Sequence, residues 1–402
     1  MRTLIKIAPF ILLLTSCGGS KLENLLKSGN IASQEFSVTI PFEYKQGLMV
    51  IKATINDKEY DFILDTGASN VLSKELHKEL GLKILDSEVV YGAHGTGQEL
   101  EYTKVNTINI GGVDFQNTIA AIHDLNAVTE IACMDVDGII GANLMRQAVW
   151  DFDFKNQKIT ITNAETSLDI PANHKEVKFF VGYQGTPSII TTVNGMRVLN
   201  NRIDTGYTGS LSLSRIEFQK LRNKNKLAKY VTGNGSASVG VYGAGKPTVF
   251  YRGLVDNMRF GNLELDNTVI SFSGANSKLI GINFLKKYRV IFNWNTQRIK
   301  LIETQPYKNT TVNTYGFGPS FKEDKLYIKY IIEGSSAQKN GLEIGDQILA
   351  IDDADYTTIT QNQWCTTLKN GLVDASKKAI NITIQRDSVI NKLNVDKTIV
   401  LQ

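Results

Sequence analysis

Two short stretches, Asp65-Thr66-Gly67-Ala68-Ser69 and Asp204-Thr205-Gly206-Tyr207-Thr208, decide how this chain folds. Each follows an apolar run, Phe62-Ile63-Leu64 in the first copy and, less cleanly, Leu199 to Ile203 in the second. Each reads as a strand running into a tight loop, with an aspartate at the bend and a glycine that lets the backbone turn. One such loop carries little meaning. Two in matching surroundings imply two carboxylates brought face to face across a pseudo-twofold axis.

The surroundings do match. Gly141-Ala142-Asn143-Leu144-Met145-Arg146 aligns with Gly281-Ile282-Asn283-Phe284-Leu285-Lys286. The match runs on without a gap through Phe152/Phe292, Asp153/Asn293, Phe154/Trp294, Gln157/Gln297, Lys158/Arg298 and Ile159/Ile299. These pairs are offset by 140 residues, Gly281 against Gly141, and the aspartates by 139, Asp204 against Asp65. Two units of nearly equal length therefore carry the same landmarks in the same order, the mark of a duplication.

The chain is mainly β: Val, Ile, Thr and Tyr recur in short runs broken by Gly, Asn and Asp. Strand patterns occur at Phe36 to Ile40, at Leu48 to Ile55, and at Tyr60 to Leu64 after an Asn56-Asp57-Lys58 turn. Ser73 to Leu80 reads as a short helix with Ser73 as its N-cap. At 402 residues the chain is long enough for two or three domains. Net charge is +4, with no dense Lys/Arg face, which argues against a nucleic-acid partner. The four histidines, His77, His94, His123 and His174, form no cluster, and Cys133 and Cys365 have no ligand spacing, so neither a metal nor a cofactor is expected. Those two cysteines fall in different expected domains, so a bridge between them is possible but not suggested.

The N-terminus reads as a targeting segment. Arg2 and Lys6 precede an apolar stretch from Ile7 to Leu14, and Leu14-Thr15-Ser16-Cys17-Gly18 resembles a bacterial lipoprotein box. That resemblance implies a signal peptide over 1–17 and lipidation of Cys17. It also implies export to the cell envelope, held by acyl chains on a periplasmic or outer-membrane face. An ordinary secretory signal with a chance cysteine is the alternative. Residues 18–35 read as a tether leading away from the anchor. Nothing later is long and apolar enough to cross a bilayer as a helix.

The two halves resemble the lobes of pepsin- and retropepsin-like aspartic peptidases. Asp-Thr-Gly-x-Ser/Thr is that family's active-site loop, and Ile139-Ile140-Gly141 and Leu279-Ile280-Gly281 look like the hydrophobic-hydrophobic-glycine segment through which the loop threads. The resemblance covers about residues 36 to 303 and implies a bilobal acid-protease β-barrel fold, with lobes at 36–165 and 172–304. Each half is short, as in retropepsin-like lobes, and lacks the disulfides of secreted pepsins. The remainder, 313–402, resembles a PDZ domain. Its residues Gly316-Phe317-Gly318 are the counterpart of that family's peptide-binding loop, before a helix near Gln361 to Lys369 and a closing strand from Ala379 to Arg386. Pro319 departs from the PDZ pattern, because proline has no N–H to donate to a peptide carboxylate.

The resemblance implies catalysis by Asp65 and Asp204 on a peptide or protein substrate, with both lobes supplied by one chain. Two close carboxylates share a proton and titrate as a pair. Thr66 and Thr205 would hydrogen-bond across to the opposite loop, Gly67 and Gly206 would offer amides to the carboxylates, and Ser69 and Thr208 would bond their outer oxygens. The glycine-rich tip Gly92-Ala93-His94-Gly95-Thr96-Gly97 is the candidate flap, with Tyr91 as a flap tyrosine or a packing residue. Gly240 to Gly245 is its counterpart in the second half. Ala68 and Tyr207 stand where pepsin-like loops carry a hydroxyl, so activity at weakly acidic to neutral pH is expected. A peptide-binding envelope lipoprotein that keeps the fold without catalysis, or a scaffold centred on the PDZ module, are the alternatives. Both leave the intact aspartate pair without a purpose, since such a pair is costly to bury.

Overall fold

The computed structural model describes residues 21–91, 97–237, 239–240, 243–274 and 278–402. The described strands form five sheets: a nine-stranded sheet in the first half, a fourteen-stranded sheet that runs from the second half into the C-terminal module, a six-stranded sheet shared between the halves, and two short two-stranded ones. The shared sheet has six antiparallel strands in the order Lys175–Lys178, Arg298–Glu303, Tyr288–Asn293, Val149–Asp153, Lys158–Thr162, Ser37–Pro41. Three come from each half, in mirrored order. At its centre Asp151 stands opposite Ile291, residues that differ by the repeat offset of 140. The pseudo-twofold axis inferred from the sequence therefore passes between those two residues.

Aromatic side chains on one face of this sheet join the halves. Trp150 stacks on Phe152, Phe152 meets Phe292 edge-on with centroids 5.6 Å apart, and Phe292 stacks on Trp294. Trp150, Phe152 and Phe292 are fully buried and belong to one hydrophobic core that runs through both lobes. Each such ring contributes roughly 2–3 kcal/mol by burial alone. Asp151 is also buried, but not alone: Arg289 grips it through Nε to Oδ1 at 2.9 Å and Nη2 to Oδ2 at 2.6 Å. A fork-to-carboxylate pair of this kind fixes how the two lobes meet.

Local structure follows the residue types. Asn56 and Asp57 take positive φ at the tip of the hairpin leading to Asp65, a conformation that asparagine and aspartate tolerate. Helix Lys74–Leu80 is capped by Ser73, whose hydroxyl accepts the Leu76 amide. The segment expected to be a tether is partly structured. Helix Lys21–Leu26 buries Leu22 and Leu26 against Leu100, Tyr102 and Ile119, and Asn30–Ile31 pairs with Gln116 and Phe115. Two leucines four residues apart on a short helix are enough to hold it on the first lobe.

The C-terminal module has its own core, built on Leu326, Ile328, Ile348, Trp364, Ile382 and Ile384. It is not a free appendage. Strand Lys229–Gly235 of the second lobe pairs antiparallel with strand Lys325–Ile332 of the module, Gly233 against Ile332 and Gly235 against Tyr330, so one sheet runs through both. A disulfide between Cys133 and Cys365 joins the first lobe to helix Gln361–Asn370 of the module. The sequence suggested no such bridge. It escaped that reading because 232 residues separate the partners and only docking of the module brings them together.

Candidate active site

The strand Lys58–Asp65 runs parallel to Gly138–Gly141, pairing Asp65 with Gly141, and the end of Met196–Asp204 runs parallel to Leu279–Gly281, pairing Asp204 with Gly281. Each aspartate thus leaves the end of a buried central strand, held on one side by the hydrophobic-hydrophobic-glycine segment of its own half. The backbone continues into the same bonds on both sides: Ala142 N–H donates to Ala68 O, and Ile282 N–H donates to Tyr207 O.

The two loops meet across the axis. Thr66 Oγ1 donates to Ile203 O at 2.7 Å and accepts the Thr205 amide at 3.1 Å. Thr205 Oγ1 donates to Leu64 O at 2.9 Å and accepts the Thr66 amide at 3.0 Å. Both threonines are fully buried, so these four reciprocal bonds have no competition from water. Replacing Thr66 by valine keeps the shape but leaves Ile203 O and the Thr205 amide buried and unpaired. A loss of about 2–4 kcal/mol in denaturant unfolding is expected, and a variant as stable as the parent would contradict the clamp.

The glycines lie against the opposite carboxylates. A Cβ built on Gly67 would sit 2.5 Å from Asp204 Cγ, and one on Gly206 would collide with the Asp65 carboxylate. Any other residue at either position would push the acids apart. The Gly67 amide donates to Asp65 Oδ1 at 2.6 Å. Asp204 Oδ1, by contrast, is buried and accepts no hydrogen bond from the described residues. Burial holds both carboxyls above the ordinary range. Asp204 is raised well above it, because the charge of Asp65 adds to the burial, while the positive charge of Arg202 lowers both. The pair as a whole therefore holds on to a proton at pH values where a lone aspartate has lost it, with the larger rise on the Asp204 side. Together these groups form a partly buried, asymmetric pair of acids at the junction of the two halves.

The remaining site residues divide. Ser69 is buried and Thr208 exposed, but among the described residues neither hydroxyl bonds a carboxylate, contrary to the role implied by the family resemblance. Of the expected flap, Gly92, His94 and Gly95 lie outside the described residues. Gly97 begins the strand Gly97–Ile110 and stands opposite Tyr91, the last residue of strand Ile84–Tyr91, so a hairpin leads to that tip. In the second half Val239–Gly240 pairs with Gly243–Ala244. Cys17 also lies outside the described residues. In the module, Gly316 has φ +98°, Phe317 is buried in the core, and Gly318 opposes Tyr330 with a bulge at Pro319. Phe321 and Trp364 stack across the space between strand Phe317–Lys322 and helix Gln361–Asn370.

The family model described as Aspartyl protease matches residues 51–144, and that described as PDZ domain matches 306–373. This chain carries an aspartyl protease domain and a PDZ domain. The aspartyl protease match spans the first aspartate loop and its glycine segment; the second half joins it through the duplication and the shared sheet. No curated protein matches the sequence.

Two residues near the aspartyl protease site escaped the sequence reading. Gln184 Nε2 donates to Gly67 O at 2.6 Å, reaching from the second half into the first aspartate loop. The signal for it is the recurrence of Gln46-Gly47 as Gln184-Gly185. Arg202, two positions before Asp204, is the other; its counterpart in the first half is Ile63, and the lack of a match there concealed it.

Proposed function

We propose that this chain is an aspartic endopeptidase whose two lobes share one Asp65–Asp204 dyad. The observation that carries this reading is the reciprocal threonine clamp, which puts two partly buried carboxyls of unequal acidity at a single junction. In the proposed step, ionised Asp65 takes a proton from an attacking water, while the proton on Asp204 hydrogen-bonds the oxygen of the scissile carbonyl. Attack on the carbonyl carbon gives a tetrahedral species, and its collapse with proton transfer to the departing amine breaks the C–N bond. No covalent bond to the protein forms. The PDZ domain, fixed to both lobes, would present a peptide segment to the same side, and a lipidated Cys17 would keep the whole at a membrane.

Mass-spectrometric mapping of cleavage sites in a mixed peptide pool tests the proposal; products absent at every pH would refute it. The pH profile is a second prediction. The rate rises as Asp65 ionises and falls as Asp204 loses its proton. Because both groups are raised, both limbs move upward, and kcat/KM is expected to peak in the weakly acidic to neutral range. A peak near pH 2–3 would contradict the assignment.

A further inference from the structure

The duplication supplies an internal comparison for the surface beside each aspartate. In the first half Val50, Ile63 and Ile139 pack under Leu125, Val128, Ile131 and Met134, which lie between His123 and Gly138. At the corresponding positions the second half has Ser188, Arg202 and Leu279. The covering segment is also shorter there: strand Leu263–Phe272 is followed by Leu279–Gly281, whereas Val113–His123 is followed by Gly138–Gly141. What is a closed apolar cluster in one half is therefore an open concavity with two cations in its wall in the other.

That concavity has a volume of about 460 Å³ and is lined by Phe180, Val181, Ser188, Asn200, Arg202 and Lys278. Its size is ordinary for a ligand site. Two cations converge on it, and among the described residues neither the Arg202 nor the Lys278 side chain makes an ion pair or a hydrogen bond. Both are only partly exposed, so water satisfies them less well than it would at an open surface. Arg202 precedes Asp204 by two residues on one strand, so their side chains share a face about 7 Å apart along it. The concavity thus opens beside the dyad. Phe180 and Val181, half-exposed at its edge, offer apolar surface to an aliphatic stem.

We infer that this concavity is a specificity subsite that receives a carboxylate of the peptide substrate, from an acidic side chain close to the scissile bond or from the chain terminus. A planar guanidinium binds a carboxylate through two parallel hydrogen bonds, and the lysine adds charge. The inference rests on the peptidase reading for its position next to a scissile bond.

The test uses the full chain and matched peptides carrying Glu, Gln or Leu at each position flanking a mapped cleavage site, each with a free or an amidated C-terminus. Glu is expected to exceed Gln by about tenfold or more in kcat/KM at one position. Arg202→Ile, which installs the residue of the other half, and Lys278→Met are each expected to reduce that ratio, with Arg202→Ile bringing it close to one. The ratio is the readout because removing a cation also shifts the dyad, which affects both peptides alike. Dependence on the free terminus instead of the side chain assigns the carboxylate to the chain end. A ratio near one in the parent, or one unchanged in both variants, overturns the inference. Binding of the same peptides to the Asp65→Asn chain, followed by fluorescence anisotropy, separates the two readings. Acid preference lost with Arg202→Ile supports the subsite even without turnover, whereas cleavage that survives Asp65→Asn rejects the dyad and not the anion site.

Discussion

Asp65→Asn and Asp204→Asn each lower peptide hydrolysis by about a thousandfold or more while the protein remains folded, if the dyad does the chemistry. The two substitutions fail for different reasons. Without Asp65 no ionised group takes the proton of the attacking water. Without the proton of Asp204 no neutral acid faces the carbonyl oxygen. Steady-state cleavage of one mapped peptide, followed by mass spectrometry, measures both; cleavage that survives either change would place the chemistry elsewhere. Stability should move in the opposite direction. Asp204 is held well above its ordinary pKa by burial and by Asp65, so the folded chain retains a proton that the unfolded chain gives up. The stability linked to that proton is fully present below the unfolded value, near pH 4, and is lost as pH rises through the folded one. Asparagine has no such proton to lose. Asp204→Asn is therefore expected to melt above the parent at pH 7, with the gap closing towards about pH 4. A gap that widens on acidification would show that the pair is not held as described.

Loss of the Cys133–Cys365 bridge is expected to have the largest effect on stability. It closes 232 residues of chain, for which loop-closure entropy suggests about 5 kcal/mol. Its ends also define what is stapled: the first lobe, just after helix Thr129–Ala132, and helix Gln361–Asn370 of the module. With serine at either position the module keeps its ladder to the second lobe, Gly233–Gly235 against Tyr330–Ile332, but loses its covalent hold on the first. The expected result is faster amide exchange in Gln361–Asn370 and a thermal transition that separates into two steps. Reductant should reproduce both effects in the parent and none in the variant. A single transition, unchanged in position, would mean that the ladder and the partly buried Lys329, drawn to Glu130 by charge, suffice to dock the module.

The duplicated loops and the glycine segments could be read from the chain because each is local or repeats at a fixed offset. The pairing of Thr66 with Thr205 was implied by the resemblance of the two loops to the aspartic-peptidase active-site loop, and the four reciprocal bonds show it. Where the halves differ, the repeat gave no such guide. Gln184 reaches the first loop from 117 residues away, and Arg202 stands where the first half has Ile63. The roles expected of Ser69 and Thr208 failed for a related reason: a motif fixes residue type, but side-chain direction depends on what lies opposite.

By itself, then, the order of residues determined that there are two equivalent halves, that each carries one acid at the end of a buried strand, and that a separate module follows. Hydrophobic periodicity and backbone sterics act over a few residues and are written locally. Only the tertiary structure decided that the module is stapled to one half and zipped to the other, that burial raises both acids, and that a hollow lined by Arg202 and Lys278 lies on the strand that carries one of them. Each of those depends on burial and on charges brought together from distant parts of the chain, and neither quantity exists until the chain has folded.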